Sequence, residues 1–225
     1  MMRLTGCILL GGLLGLFNNW WKRCLEKDFD EIKVEDTNNK WLLPCLTAII
    51  SGWLSSVTKN NYILIFNIVI VSLLILLACF DYQYMLLPTK VIVPGIIIAC
   101  ISRGVMYLIT KEKYYLIEGL LGGIIGFGLF FLIFYGSIWI LKKEGLGFGD
   151  VRLMAFIGIV IGIGELFIFI IISSLLAVLV GGMLLVIKQK SEAFPFGPFL
   201  CSGAIIMLLL GEEIMTIYLR CLNLG

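Results

Sequence analysis

Two aspartates stand where this 225-residue chain could do chemistry: Asp81, closing the apolar run Ala78-Cys79-Phe80, and Asp150, closing Gly145-Leu146-Gly147-Phe148-Gly149. A carboxylate at the edge of hydrocarbon is costly, by roughly 2.5 to 3.5 kcal/mol for Asp at a helix centre and less toward the ends, so each is a functional candidate by position alone. The chain contains no histidine, which excludes Ser-His-Asp and Cys-His triads and an H-E-x-x-H zinc site. Acid/base work would fall to carboxylate, Lys, Tyr or Cys. Two carboxylates a few ångströms apart in a partly desolvated site share one proton. The ionised partner can then draw a proton from a water attacking a carbonyl, while the protonated partner donates toward the carbonyl oxygen. Which aspartate takes which part is left open by the sequence.

Such a pair needs a membrane-embedded scaffold to hold it. Hydrophobic residues make up 60% of the chain and charged residues 14%, with a mean hydropathy of +1.07, whereas a soluble domain is about half apolar and about a quarter charged. These values describe an all-α, polytopic membrane protein embedded in a lipid bilayer. The net charge of +2 gives no ground for nucleic-acid binding, and the basic residues sit in loops between apolar runs, as topology determinants do. The seven cysteines include no C-x-x-C pair. Most lie in or beside apolar runs, where Cys behaves as a small hydrophobe, so no metal site is expected.

Eight crossings are expected, over 4–21, 42–57, 61–80, 91–109, 116–140, 151–164, 166–187 and 199–218. The first reads as a retained span with its N-terminus outside, because Lys22 and Arg23 follow it and no A-x-A-like exit is visible. Residues 22–41 form the one long charged loop. Pro88 disfavours helix at Leu87 and breaks the chain after Asp81. The fifth run holds Gly119, Gly122, Gly123, Gly126 and Gly128, and the four-residue spacing of Gly119/Gly123 and Gly122/Gly126 predicts close helix packing. The run 151–164 is short for a crossing and works only if 145–150 dips into the protein. Two crossings separate Asp81 from Asp150, so both fall on one side of the membrane. Eleven of the 17 basic residues fall on that side, which makes it cytoplasmic. Glu118 and Glu165 read as solvated charges near the outer ends, and Arg103 counts as an outer basic residue.

Three blocks together resemble the type IV prepilin peptidases, the bacterial membrane aspartic proteases of the GxGD type. They are Asp81 with Leu87-Pro88 downstream; Glu144-Gly145-Leu146-Gly147-Phe148-Gly149-Asp150-Val151-Arg152-Leu153; and Pro195-Phe196-Gly197-Pro198-Phe199-Leu200. A lone G-x-G-D is a common accident; three blocks in the family's order and spacing are not. The resemblance implies that Asp81 and Asp150 are the catalytic aspartates, and that the substrates are type IV prepilins or prepilin-like secretion and competence proteins. Those are cut at the cytoplasmic border between a short basic leader and a hydrophobic helix. Gly147 and Gly149 would let backbone approach the scissile bond. Pro195, Gly197 and Pro198 either hold an unwound substrate strand or simply break a helix.

The resemblance implies a single membrane domain over 1–225, with a GxGD protease core over 61–219 and the multi-pass cytoplasmic (inner) membrane as its location. It departs from the family's larger members at 22–41, a short cytoplasmic loop holding only Cys24 where they carry paired C-x-x-C motifs thought to bind zinc. Gln83 and Thr89 stand where members often have further acidic residues. The peptidase needs no cofactor, and S-adenosylmethionine enters only if methylation of the new N-terminus is retained. Other readings of the same aspartates are a small proton- or cation-coupled transporter, and a preflagellin-type or presenilin-like GxGD protease.

Overall fold

A computed structural model of the chain describes residues 2–28, 41–58, 60–142, 145–188 and 195–221. Among these residues every element is helical: α1 (Met2–Asp28), α2 (Leu42–Val57), α3 (Asn61–Tyr84), α4 (Thr89–Thr110), α5 (Lys113–Leu141), α6 (Phe148–Ile161), α7 (Ile163–Lys188) and α8 (Gly197–Cys221). Each expected crossing overlaps one of these helices, but among the described residues α3, α4, α5, α7 and α8 alone are long and apolar enough to span a bilayer, while α2 is a shorter apolar helix. At 14 residues, α6 reaches about 21 Å against a hydrocarbon core of roughly 30 Å. Most of the expected loop at 22–41, together with Glu144, Lys190 and Phe194, lies outside the described residues. Its first part is not loop: residues 22–28 continue α1, helped by a Lys22–Glu26 pair at 3.7 Å, one turn apart.

The bundle is built around α3, which touches α1, α2, α4 and α8. Leu73, Leu74, Ile75, Leu76 and Leu77 are consecutive and all buried, so α3 is covered on every side, as a helix apolar all round should be. Its C-terminal end is marked by Met85 in the left-handed region (φ 52°), whose N–H donates to Asp81 O at 2.8 Å.

The glycine spacing on α5 is realised as close packing on α6. A Cβ at Gly126 would lie 3.1 Å from Met154 O, and one at Gly123 would lie 3.2 Å from Ala155 O. Gly122 and Gly158 meet backbone to backbone. Gly128 faces open space instead. On the other side of α6 the ring of Phe156 fills the room left by Gly95 of α4, where a Cβ would approach to 2.9 Å. These contacts sandwich α6 between α4 and α5, which is how a helix too short to cross is kept inside the protein. At the N-terminal end of the chain Gly11 and Gly15 of α1 pack on Ser51, Thr47 and Pro44 of α2, and Ser51 Oγ donates to Cys7 O at 3.0 Å.

Candidate active site

Asp81 sits in the last turn of α3 and Asp150 in the first turn of α6. They are 5% and 8% exposed, and Asp150 lies within direct Coulombic reach of Asp81. The two candidate carboxylates are therefore gathered into one buried place at one end of the bundle.

Each carboxylate is met by the start of a helix, where backbone N–H groups lack intrahelical partners and the dipole favours negative charge. Gly147 is the N-cap of α6 and Asp150 its third residue. Asp150 N donates to Gly147 O at 3.0 Å, and a Cβ at Gly147 would lie 3.4 Å from Asp150 Oδ2, so the carboxyl lies back over the N-cap, where the start of the helix favours negative charge. Asp81 is not on α8, yet its carboxyl group lies against Gly197, the first residue of α8. The carboxyl is packed so tightly there that a Cβ at Gly197 would fall 2.6 Å from Oδ2 and 3.0 Å from Cγ. Asp81 Oδ2 is buried with no hydrogen-bond partner among the described residues.

Pro195 and Phe196 lie outside any helix, and α8 begins at Gly197 with Pro198 next in line. Pro198 lacks an N–H where none is needed, in the first turn of a helix. α8 starts within the block, and its first residue, Gly197, lies against Asp81. The two glycines of the second block differ. Gly149 makes room for a protein side chain, since a Cβ there would lie 3.0 Å from Leu87 Cβ. Gly147 is exposed and meets only Asp150 Oδ2, at 3.4 Å from such a Cβ. Leu87 thus links the first block to the second, and Arg152 adds a hydrogen bond to Thr89 Oγ1 while lying 4.6 Å over the Phe148 ring.

Sequence reasoning passed over Cys201. It is fully buried one turn beyond Gly197 on α8 and within Coulombic reach of both aspartates. It also read Glu118 and Glu165 as solvated, and the structure corrects this. Glu118 is 13% exposed and pairs with Arg103 at 3.5 Å, and Glu165 packs on Gly211 of α8, 3.0 Å from a Cβ there. Glu118 is drawn inward by Arg103, a residue whose position late in an apolar run was the available signal.

The sequence model of the type IV leader peptidase family matches residues 68–182. The chain belongs to this family. Three relatives carry the name prepilin leader peptidase/N-methyltransferase. The Bacillus subtilis protein is 30% identical over 155 residues, 68% of this chain and 58% of its own. The Aeromonas hydrophila protein is 26% identical over 180 residues, 79% of this chain and 60% of its own. The Pseudomonas putida protein is 29% identical over 152 residues, 67% of this chain and 51% of its own. The chain thus spans between half and three-fifths of the length of these curated relatives. No solved structure matches it. The family match contains both aspartates, but it ends before α8, so Gly197 belongs to the site by geometry and not by that match.

Proposed function

We propose that this chain is a membrane aspartic endopeptidase that cleaves the leader from type IV prepilins or prepilin-like proteins at the cytoplasmic face. The observation that carries the reading is the convergence of Asp81 and Asp150 in one buried place, within a chain of the type IV leader peptidase family. In the proposed reaction the dyad holds one proton between its two carboxyl groups. One carboxylate takes a proton from water, whose oxygen attacks the scissile carbonyl. The other carboxyl donates to the carbonyl oxygen, and the proton returned to the amine releases the new N-terminus. A helical substrate must unwind to be cut, and its freed amides need partners. Gly147, exposed beside Asp150, is the backbone it would pass most closely; Gly149 and the 195–198 segment support the carboxylates.

Methyl transfer stands outside the proposal, because residues 22–41 carry no C-x-x-C pair of the kind found in the larger members of the family that the sequence resembles; S-adenosylmethionine enters only if that activity is retained.

The test is co-expression with a prepilin bearing a basic leader and a Gly-Phe junction, read by substrate shift and N-terminal mass. Wild type should cleave it and leave an unmethylated N-terminus, while Asp81→Asn and Asp150→Asn should each lose cleavage by at least a thousandfold. Cleavage by either variant at the wild-type rate would remove the dyad from the mechanism.

A further inference from the structure

The far end of α6 is held as firmly as its active end. Its backbone ladder stops at Gly162 (φ +88°), whose N–H donates to Gly158 O at 2.8 Å. The carbonyls of a helix's last turn have no following N–H, and at membrane depth they need donors from elsewhere in the protein. Arg103 of α4 supplies them: Nε donates to Ile159 O at 2.9 Å and Nη2 to Val160 O at 2.6 Å. A cation also matches the negative end of the α6 dipole, just as Asp150 matches the positive end.

The guanidinium is fixed in turn. Its Nη1 pairs with Glu118 of α5 at 3.5 Å, the two side chains being 15% and 13% exposed. Glu118 closes over the turn after α6, where a Cβ at Gly162 or Gly164 would come within 3.0 or 3.1 Å of its side chain. One arginine thus ties the end of α6 to both α4 and α5.

An α-helix neither stretches nor compresses readily along its axis, so the height at which one end is clamped sets the height of the other. We infer that Arg103 is a positioning residue of the peptidase: by fastening the carboxyl end of α6 to α4 and α5, it sets the depth at which Asp150 meets Asp81. The inference rests on the peptidase reading, and Arg103 itself touches neither aspartate's end of the bundle. Reacting groups displaced by about 1 Å lose on the order of a hundredfold in rate, so a clamp this distant can act strongly on turnover while leaving substrate contacts alone.

The experiment reconstitutes the full chain in proteoliposomes as wild type, Arg103→Met, Arg103→Lys and Glu118→Gln, with kcat and KM measured on a prepilin and kcat normalised to folded protein. Arg103→Met should lower kcat at least tenfold with KM within threefold. Arg103→Lys, which keeps the charge and one carbonyl donor, should recover part of that loss, and Glu118→Gln should fall between wild type and Arg103→Met. A second readout needs no activity. A Thr89→Cys/Arg152→Cys pair, bridged by a short bis-maleimide and quantified by mass spectrometry, reports the height of α6 against α4; its yield should drop when Arg103→Met is added. An inactive wild type would sink the peptidase reading and leave the cross-link to judge the clamp. Unchanged kcat with unchanged cross-linking would overturn the inference, as would a loss appearing wholly in KM. Where Arg103→Met does not fold, the lysine and glutamine variants decide by the same criteria.

Discussion

At the scale of single residues, three glycines near the aspartates have three different neighbours, and substitution separates them. Gly197 is in contact with Asp81 itself. A methyl group 2.6 Å from Oδ2 has to displace either the carboxyl or the start of α8, and Gly197→Ala is expected to cut cleavage at least tenfold while the protein still inserts and purifies as wild type does. Gly149→Ala pushes on Leu87, 3.0 Å away, and its expected effect is a modest loss of stability, within the roughly 1 to 3 kcal/mol usual for overpacking. At Gly147 a methyl group meets only Asp150 Oδ2, at 3.4 Å, an ordinary contact, and φ is −73°. Gly147→Ala should therefore leave thermal stability unchanged and raise KM several-fold, since what it obstructs is approach of the substrate backbone. If KM stays at the wild-type value, the substrate does not pass there. None of these distinctions was legible in G-x-G-D and P-F-G-P as strings. A motif records that a side chain is not tolerated, and only the neighbour shows why.

At the scale of elements, α6 is the helix whose shortness organises its surroundings. Its span was readable because Gly145 to Asp150 interrupts the apolar pattern before it and Gly162 to Glu165 interrupts it after. Its partners were half readable. Small residues four apart predicted a close contact on α5, and Gly122, Gly123 and Gly126 make it, but Gly128 belongs to the same glycine-rich run and faces open space. Helical phase alone could not say which stripe meets protein and which meets lipid, because both surroundings are apolar. The two kinds of glycine predict opposite outcomes. Gly158→Ala drives a methyl group into the Gly122 backbone, 2.7 Å from its carbonyl carbon, with no flexible side chain to yield; it should lower the melting temperature in detergent by several degrees and reduce kcat along with it. Gly128→Ala should change neither. Equal melting temperatures for the two variants would show that the α5–α6 contact is looser than described.

For the whole molecule, alternation of crossings was enough to bring Asp81 and Asp150 to one end, since parity depends only on counting apolar runs. The opposite end was not legible by that route. Arg103, Glu118 and Glu165 come from α4, α5 and α7, and treated one charge at a time each resembles a solvated loop residue; their partial burial is a property of the assembled bundle. The N-terminal pair α1–α2 raises the same question of what supports what. It docks on α3 through buried Asn18, whose Nδ2 donates to Ser72 O at 2.7 Å, and through Tyr84, whose hydroxyl donates to Glu26 Oε1 at 2.8 Å. No residue of the dyad or of its three sequence blocks lies on this pair of helices, so it should contribute stability more than turnover. Gly15→Ala tests this directly. Its methyl group would fall 2.5 Å from Pro44 Cα and 2.9 Å from Pro44 N, a rigid backbone that cannot turn aside, so α1 and α2 must separate. In lipid no hydrophobic force holds them together, and lost packing is lost stability. The expected result is a lower melting temperature in nanodiscs, with cleavage at a permissive temperature within about threefold of wild type by the same packing argument. A variant that stays folded and yet loses cleavage tenfold or more would mean that α1, through Glu26 and Tyr84, takes part in aiming Asp81.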